Sequence, residues 1–201
     1  MTLFDVDSEP EELLQFGGSA LLHRRAIDAP DMAGDALRSE LLWDQPTIKM
    51  YGKVIPQPRL VSWLGDSGVS YTYSGTTLHP NPWTPSLLKL KATSEQLAGE
   101  CFNSALANLY RDGNDSVAWH SDDEPELGTN PTIASVSLGD QRRFHLRHRD
   151  TRETIRVDLP SGSVLVMSGR CQAEWEHQIS KTKKPVGPRI NLTFRRIFSG
   201  T

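Results

Sequence analysis

The chain is nearly without cysteine. Cys101 and Cys171 are the whole complement, too few and too far apart for a disulfide framework, and too few for a structural zinc site. A reducing cytoplasm is the expected setting. Long apolar runs are missing as well, since none approaches the ~20 residues that a bilayer-spanning helix needs. The opening MTLFDVDSEPEELL is acidic and lacks the basic-then-apolar build of a signal peptide. Internal repeats and low-complexity tracts are absent. There is no basic excess either: the formal net charge is −3, which argues against a protein that binds polyanions through bulk charge alone.

What is present fits one soluble domain with no membrane partner, and a monomer is expected. A chain of 201 residues, 37% hydrophobic and 23% charged, can bury a sizeable core. Affinity for phosphates depends on where cations sit. They cluster at Arg142, Arg143, Arg147, Arg149, Arg152 and Arg156, and again at Lys181, Lys183 and Lys184. Taken singly these read as a solvated face; together they permit a rim that tracks phosphates.

Residues 1–45 read as an N-terminal extension with helical pieces. Asp31 is a candidate cap for a helix whose Ala33, Leu37 and Leu41 share one face, with Pro46 ending it. Residues 46–83, rich in Gly, Pro, Ser and aromatics, read as short strands and loops. Within 84–101, Pro85 suits the first turn of a helix carrying Leu87, Leu88 and Leu90, and Ser94–Gly99 either continues it or starts another. From 102 to 198 eight short β-like runs follow: Ser104–Arg111, Ser116–Trp119, Thr132–Leu138, Arg143–His148, Thr154–Asp158, Ser163–Met167, Trp175–Ile179 and Ile190–Ile197. Asp112-Gly113-Asn114 and Pro160-Ser161-Gly162 make turns between them. The pattern suits a double-stranded β-helix (jelly roll) or a sandwich equally well.

His120-Ser121-Asp122 carries the first chemistry. At the end of an extended strand, residues two apart point to one side, so His120 and Asp122 can reach one metal while Ser121 points away. His177 follows Asp122 by 55 residues and must return on another strand. Two imidazoles and a carboxylate can cover one face of an octahedral iron and leave the other face open, the arrangement non-heme Fe(II) oxygenases use. On its own a His-x-Asp tripeptide recurs by chance. Arg189, 12 residues after His177, adds a planar guanidinium suited to a dicarboxylate.

Four blocks give these residues a context: SWLGDSGVSYTYSG (Ser62–Gly75), NSALANLYRDGNDSVAWHSDDEPEL (Asn103–Leu127), WEHQISK (Trp175–Lys181) and PRINLTFRRI (Pro188–Ile197). Together they resemble the AlkB family of Fe(II)/2-oxoglutarate-dependent dioxygenases over about residues 45 to 197, and within it the branch that repairs alkylated nucleic acid. The resemblance selects the jelly roll, a mainly β fold with flanking helices. It makes residues 1–201 a single dioxygenase domain in which 46–83 is a nucleotide-recognition lid, 84–101 a supporting helix and 102–198 the core.

It also implies site roles. His120, Asp122 and His177 become the Fe(II) ligands, while His23, His79, His145 and His148 fall outside the ligand positions. Arg189 would pair with the distal carboxylate of 2-oxoglutarate, with Asn108, Tyr110, Asn191 and Arg195 as further cosubstrate residues. Arg59, Trp63, Tyr71, Tyr73, Ser74 and Glu124 would handle the substrate. The implied reaction uses O2 and 2-oxoglutarate to hydroxylate an N-methyl group of 1-methyladenine or 3-methylcytosine type in DNA or RNA. Loss of formaldehyde restores the base, with succinate and CO2 as coproducts, a direct-reversal DNA repair. The alternatives are an oxygenase of the same machinery acting on a protein side chain or small molecule, and a non-catalytic β-barrel binding module.

Overall fold

The computed structural model describes residues 9–50, 52–73 and 76–198. Among them the chain runs β1 (Glu11–Glu12), β2 (Ser19–His23), α1 (Pro30–Glu40), β3 (Thr47–Met50), β4 (Lys53–Pro56), β5 (Leu60–Gly65), β6 (Tyr71–Tyr73), β7 (Thr76–Leu78) and α2 (Pro85–Ala98). The eight strands expected after α2 follow within one or two residues of their expected bounds: β8 (Ser104–Tyr110), β9 (Val117–His120), β10 (Ile133–Gly139), β11 (Arg142–His148), β12 (Thr154–Leu159), β13 (Ser163–Ser168), β14 (Trp175–Ile179) and β15 (Arg189–Arg195). A single short helix, α3 (Cys171–Glu174), joins β13 to β14.

The strands form a large sheet in the order β1-β2-β13-β10-β15-β8-β5 and a small one in the order β12-β11-β14-β9, with β3-β4 and β6-β7 as separate hairpins. The two larger sheets pack around a shared apolar core in which Ile133, Leu165 and Met167 meet Phe144, Leu146, Val157 and Leu159. This is the double-stranded β-helix. On the other face of the large sheet Leu37 from α1 with Leu41 just after it, and Leu87 and Leu90 from α2, cover Ala105, Ala107, Val136, Leu192 and Phe194. Because each strand sends alternate residues to opposite faces, one set meets the helices and the other lines the interior between the sheets. In β15 the split is complete: Ile190, Leu192 and Phe194 pack toward the helices, which turns Arg189, Asn191, Thr193 and Arg195 inward.

Phe194 is fully buried and stacks between Trp83 (ring centroids 6.4 Å apart) and Phe102 (6.2 Å). Removing that ring leaves a cavity that the covering helices cannot collapse. Phe194→Ala lowers the free energy of unfolding by about 3–5 kcal/mol, to be read from urea denaturation; a loss under ~1 kcal/mol would contradict this packing.

Local chemistry explains the ends of the helices. Thr84 Oγ1 accepts from the Leu87 amide at 3.3 Å, Pro85 supplies the pre-set φ of the first turn, and Gly99 stops α2 at φ 65°. The helix is continuous through Ser94, whose hydroxyl donates to the Leu90 carbonyl oxygen at 2.8 Å. The cap of α1 differs from expectation. Pro30 occupies the first helical position, which moves the cap back to Ala29 in a left-handed conformation, and Asp31 sits in the first turn, favourable to the helix dipole. The N-terminal segment holds more than helix: β2 pairs with β13 through Leu22↔Leu165 and Leu21↔Val166, and buries Ala20 and Leu22 in the core between the sheets.

Candidate metal centre

The small sheet brings the distant histidines together directly. His177 on β14 and His120 on β9 are paired cross-strand residues, their rings 4.3 Å apart and edge to face. Asp122 lies just past the end of β9. One donor atom from each of His120, Asp122 and His177 falls within 4.8 Å of the others. The His120 Nδ1 lies 2.8 Å from the Ala118 carbonyl oxygen; a carbonyl only accepts, so Nδ1 is the donor in this contact. Burial, with His120 and Arg195 adding to it, pulls the His177 imidazole down to about 3, so it is neutral and able to ligate. Burial works against a charged Asp122, but the Arg195 guanidinium and the two imidazoles outweigh it and hold the carboxyl below its ordinary range. Arg195 Nη2 donates to Asp122 Oδ1 at 2.7 Å, and the Asp122 amide donates to Gln172 Oε1 at 3.0 Å.

The cavity around this triad, about 170 Å³, is lined by the inward residues of the large sheet, including Asn108, Tyr110, Arg189, Asn191 and Arg195. Pairing places Arg189 beside Tyr110 and Asn191 beside Asn108. Gly139 ends β10 next to them at φ 84°, where a Cβ would run into the Pro188 carbonyl oxygen. Arg189 is 1% exposed. Its Nη2 donates to Ser137 Oγ at 2.9 Å, while Nε and Nη1 are buried without a protein partner. Burial pulls the guanidinium down to about 10, which leaves it charged at neutral pH. A buried cation with two unmet donors calls for an anionic acceptor. Asn191 Nδ2 is held by Ser135 Oγ at 2.8 Å and the Val136 carbonyl oxygen at 3.0 Å.

Arg59 and Glu124 join the same cavity. Arg59 Nε donates to Asn108 Oδ1 at 2.7 Å, so this arginine reaches into the interior from the start of β5. Glu124 Oε2 is buried without a partner. Arg59, Leu106, Glu124 and Arg195 also line an outer groove of about 370 Å³, which Trp63 helps to build. The Trp63 indole donates to Ser104 Oγ at 2.8 Å. Tyr71 and Tyr73 lie on β6, with only their backbone described, and Ser74 lies outside the described residues.

The donor set of two imidazoles and a carboxylate fits a six-coordinate Fe(II), and the unmet donors of Arg189 fit a carboxylate. Residues 28–195 match the family model described as the 2OG-Fe(II) oxygenase superfamily. The chain belongs to that superfamily. Iron(II), 2-oxoglutarate and O2 are the groups that superfamily uses. The chain is similar to alpha-ketoglutarate-dependent dioxygenase alkB homolog 3 of Bos taurus, 42% identical over 178 residues that cover 84% of this chain and 62% of that protein. It is also similar to DNA oxidative demethylase ALKBH2 of Homo sapiens, 40% identical over 158 residues, 75% of this chain and 60% of that protein. The oxygenase thus spans about three fifths of the length of these relatives. In fold it resembles the structure of OsALKBH1 at a TM-score of 0.64 and 19% identity, covering 91% of this chain and 99% of that one.

Several site residues escape a motif reading. Gln172 on α3, Ser135 and Ser137 on β10, and Phe144, which stacks on His177 at 5.3 Å, all support the cavity. The two serines are legible in retrospect as the inward, period-two positions of β10. The arginine cluster also sorts differently from its sequence reading. Arg142 is buried and donates to the carbonyl oxygens of Asp112, Asp115 and Ser180. Arg143, Arg147, Arg149 and Arg152 are paired with Asp158, Glu176, Asp123 and Glu176. Most of this cluster is neutralised within the fold.

Proposed function

We propose that this oxygenase removes small alkyl groups from damaged bases of DNA or RNA, acting as a monomer in a reducing cytoplasm. One observation carries the reading: the His120–Asp122–His177 triad and the unmet donors of buried Arg189 share a cavity that runs into a groove through Glu124, Arg59 and Arg195. Iron(II) with 2-oxoglutarate and O2 supplies the oxidising power to hydroxylate a methyl C–H bond. Arg189 holds the distal carboxylate of the cosubstrate, with Tyr110, Asn108 and Asn191 shaping its berth. Arg195 keeps Asp122 ionised and aimed. The segment 46–83 acts as the lid, placing Trp63, Tyr71, Tyr73 and Ser74 against an extruded base. Aromatic stacking of ~1–3 kcal/mol per base helps offset the cost of unstacking.

Glu124 gives the site its preference for damage. A 1-methyladenine or 3-methylcytosine ring is cationic, and a carboxyl group at the mouth of the cavity whose Oε2 is buried without a protein partner favours it over the neutral base. Once hydroxylated, the N-methyl group loses formaldehyde and the base is restored. Relatives named DNA oxidative demethylase favour nucleic acid over a protein side chain or small molecule. Cys101 and Cys171 are both free, which supports the reducing setting.

The test is formaldehyde release from 1-methyladenine and 3-methylcytosine oligonucleotides, single- and double-stranded, with Fe(II) and 2-oxoglutarate. Formaldehyde matching succinate mole for mole is expected. Succinate without formaldehyde would transfer the site to another substrate class, and neither product would leave only the binding-module reading.

A further inference from the structure

On the outer face of the small sheet, behind the candidate metal, two arginines grip the residues that flank all three ligands. Arg147 of β11 lies over the Trp119 ring, 4.0 Å from its centroid, and its Nε donates to Glu176 Oε1 at 2.7 Å. Trp119 precedes His120 and Glu176 precedes His177. Arg149, just past β11, donates from Nη2 to Ser121 Oγ at 2.6 Å and to Asp123 Oδ2 at 3.0 Å. Ser121 and Asp123 bracket Asp122. The Ser121 hydroxyl in turn donates to the Trp175 carbonyl oxygen at 2.9 Å, and the Arg149 amide donates to the Glu174 carbonyl oxygen at 2.8 Å.

The location matters because the β-ladder is irregular there. The pairing of β14 with β9 shifts register between His177 and Ile179, right beside the paired histidines, and a bulge leaves backbone positions underdetermined by ladder hydrogen bonds. The planar arginine forks supply the missing constraint from the opposite face, with Arg147 linking the two histidine-bearing strands and Arg149 the loop that carries the carboxylate. Each cation sits on a carboxylate, Arg149 on Asp123 and Arg147 on Glu176, which Arg152 shares. We infer that Arg147 and Arg149 are positioning residues that preorganise the triad for metal. The inference rests on the reading of His120, Asp122 and His177 as the metal site.

The experiment titrates the apoprotein with Co(II) in the presence of 2-oxoglutarate and follows the visible spectrum. It compares the parent with Arg147→Ala, Arg147→Lys, Arg149→Ala, Arg149→Lys and Arg143→Ala. The last removes an ion pair on the same sheet that touches no neighbour of a ligand. Each of Arg147→Ala and Arg149→Ala should weaken Co(II) binding about 10–100-fold, the scale of outer partners of metal ligands. The lysine variants should recover part of the loss, and Arg143→Ala should bind like the parent. A variant that does not fold leaves the decision to the lysine at the same position, where an intermediate affinity supports the role and parental affinity overturns it. Both alanine variants within twofold of the parent, or an equal loss in Arg143→Ala, overturns the positioning role and leaves the metal site standing. A parent that binds no Co(II) overturns both.

Discussion

Arg189→Lys should raise the KM for 2-oxoglutarate about 100-fold and leave kcat at saturating cosubstrate within about tenfold of the parent. The charge survives the change, so the expected loss comes from geometry. Arg189 spends Nη2 on Ser137 and keeps Nε and Nη1 as buried donors without protein partners. Each of these donors lies on a different edge of the planar guanidinium and can form a fork with the second N–H of Nη2, a geometry that an ammonium on a flexible stem cannot reproduce. A hydrogen bond to a charged group is worth about 1.5–3 kcal/mol, and ~3 kcal/mol corresponds to roughly two orders of magnitude in affinity. Succinate formation as a function of 2-oxoglutarate concentration reads the effect. An unchanged KM would mean that the unmet donors face something other than the cosubstrate.

The second large effect is expected from His120→Ala, which should take formaldehyde and succinate production below detection while the fold stays intact. Two remaining ligands cannot hold the facial geometry, so the loss exceeds the about 10–100-fold that outer partners contribute. His120 is half-buried and its ring lies in an open cavity rather than in either apolar core. Far-UV circular dichroism and the melting temperature should therefore stay close to those of the parent. Parental turnover in this variant would remove His120 from the metal centre. A collapsed fold would assign the imidazole a packing role that its surroundings do not suggest.

His120, His177 and Arg189 are legible as candidates because their chemistry is rare, and the cross-strand pairing of the two histidines follows from strand geometry. β15 shows how far such reading goes. Its RINLTFR run alternates strictly, the usual mark of a strand with one face in water. The polar face instead turns inward to the cavity, and only the pairing of β15 with β8 and β10 shows it. The strands β1 and β2 were not legible as strands. SALLH is five residues long, and its partner β13 lies more than a hundred residues away, so no local signal marks the pairing. The arginine cluster misleads for the opposite reason, because density of charge in sequence says nothing about which carboxylates the fold will bring opposite. Gln172 was invisible because a glutamine on a four-residue helix acquires meaning only from the Asp122 amide it meets.

The strict two-residue beat of β15 makes this segment intolerant of frame. Deleting one residue between Arg189 and Arg195 would rotate the remainder of the strand by half a turn. Guanidinium and amide heads would then be pressed against the greasy undersides of the helices, while leucine and phenylalanine entered the polar chamber. Insertions in this oxygenase should therefore survive in the loop ahead of Pro188 and be lost within the strand.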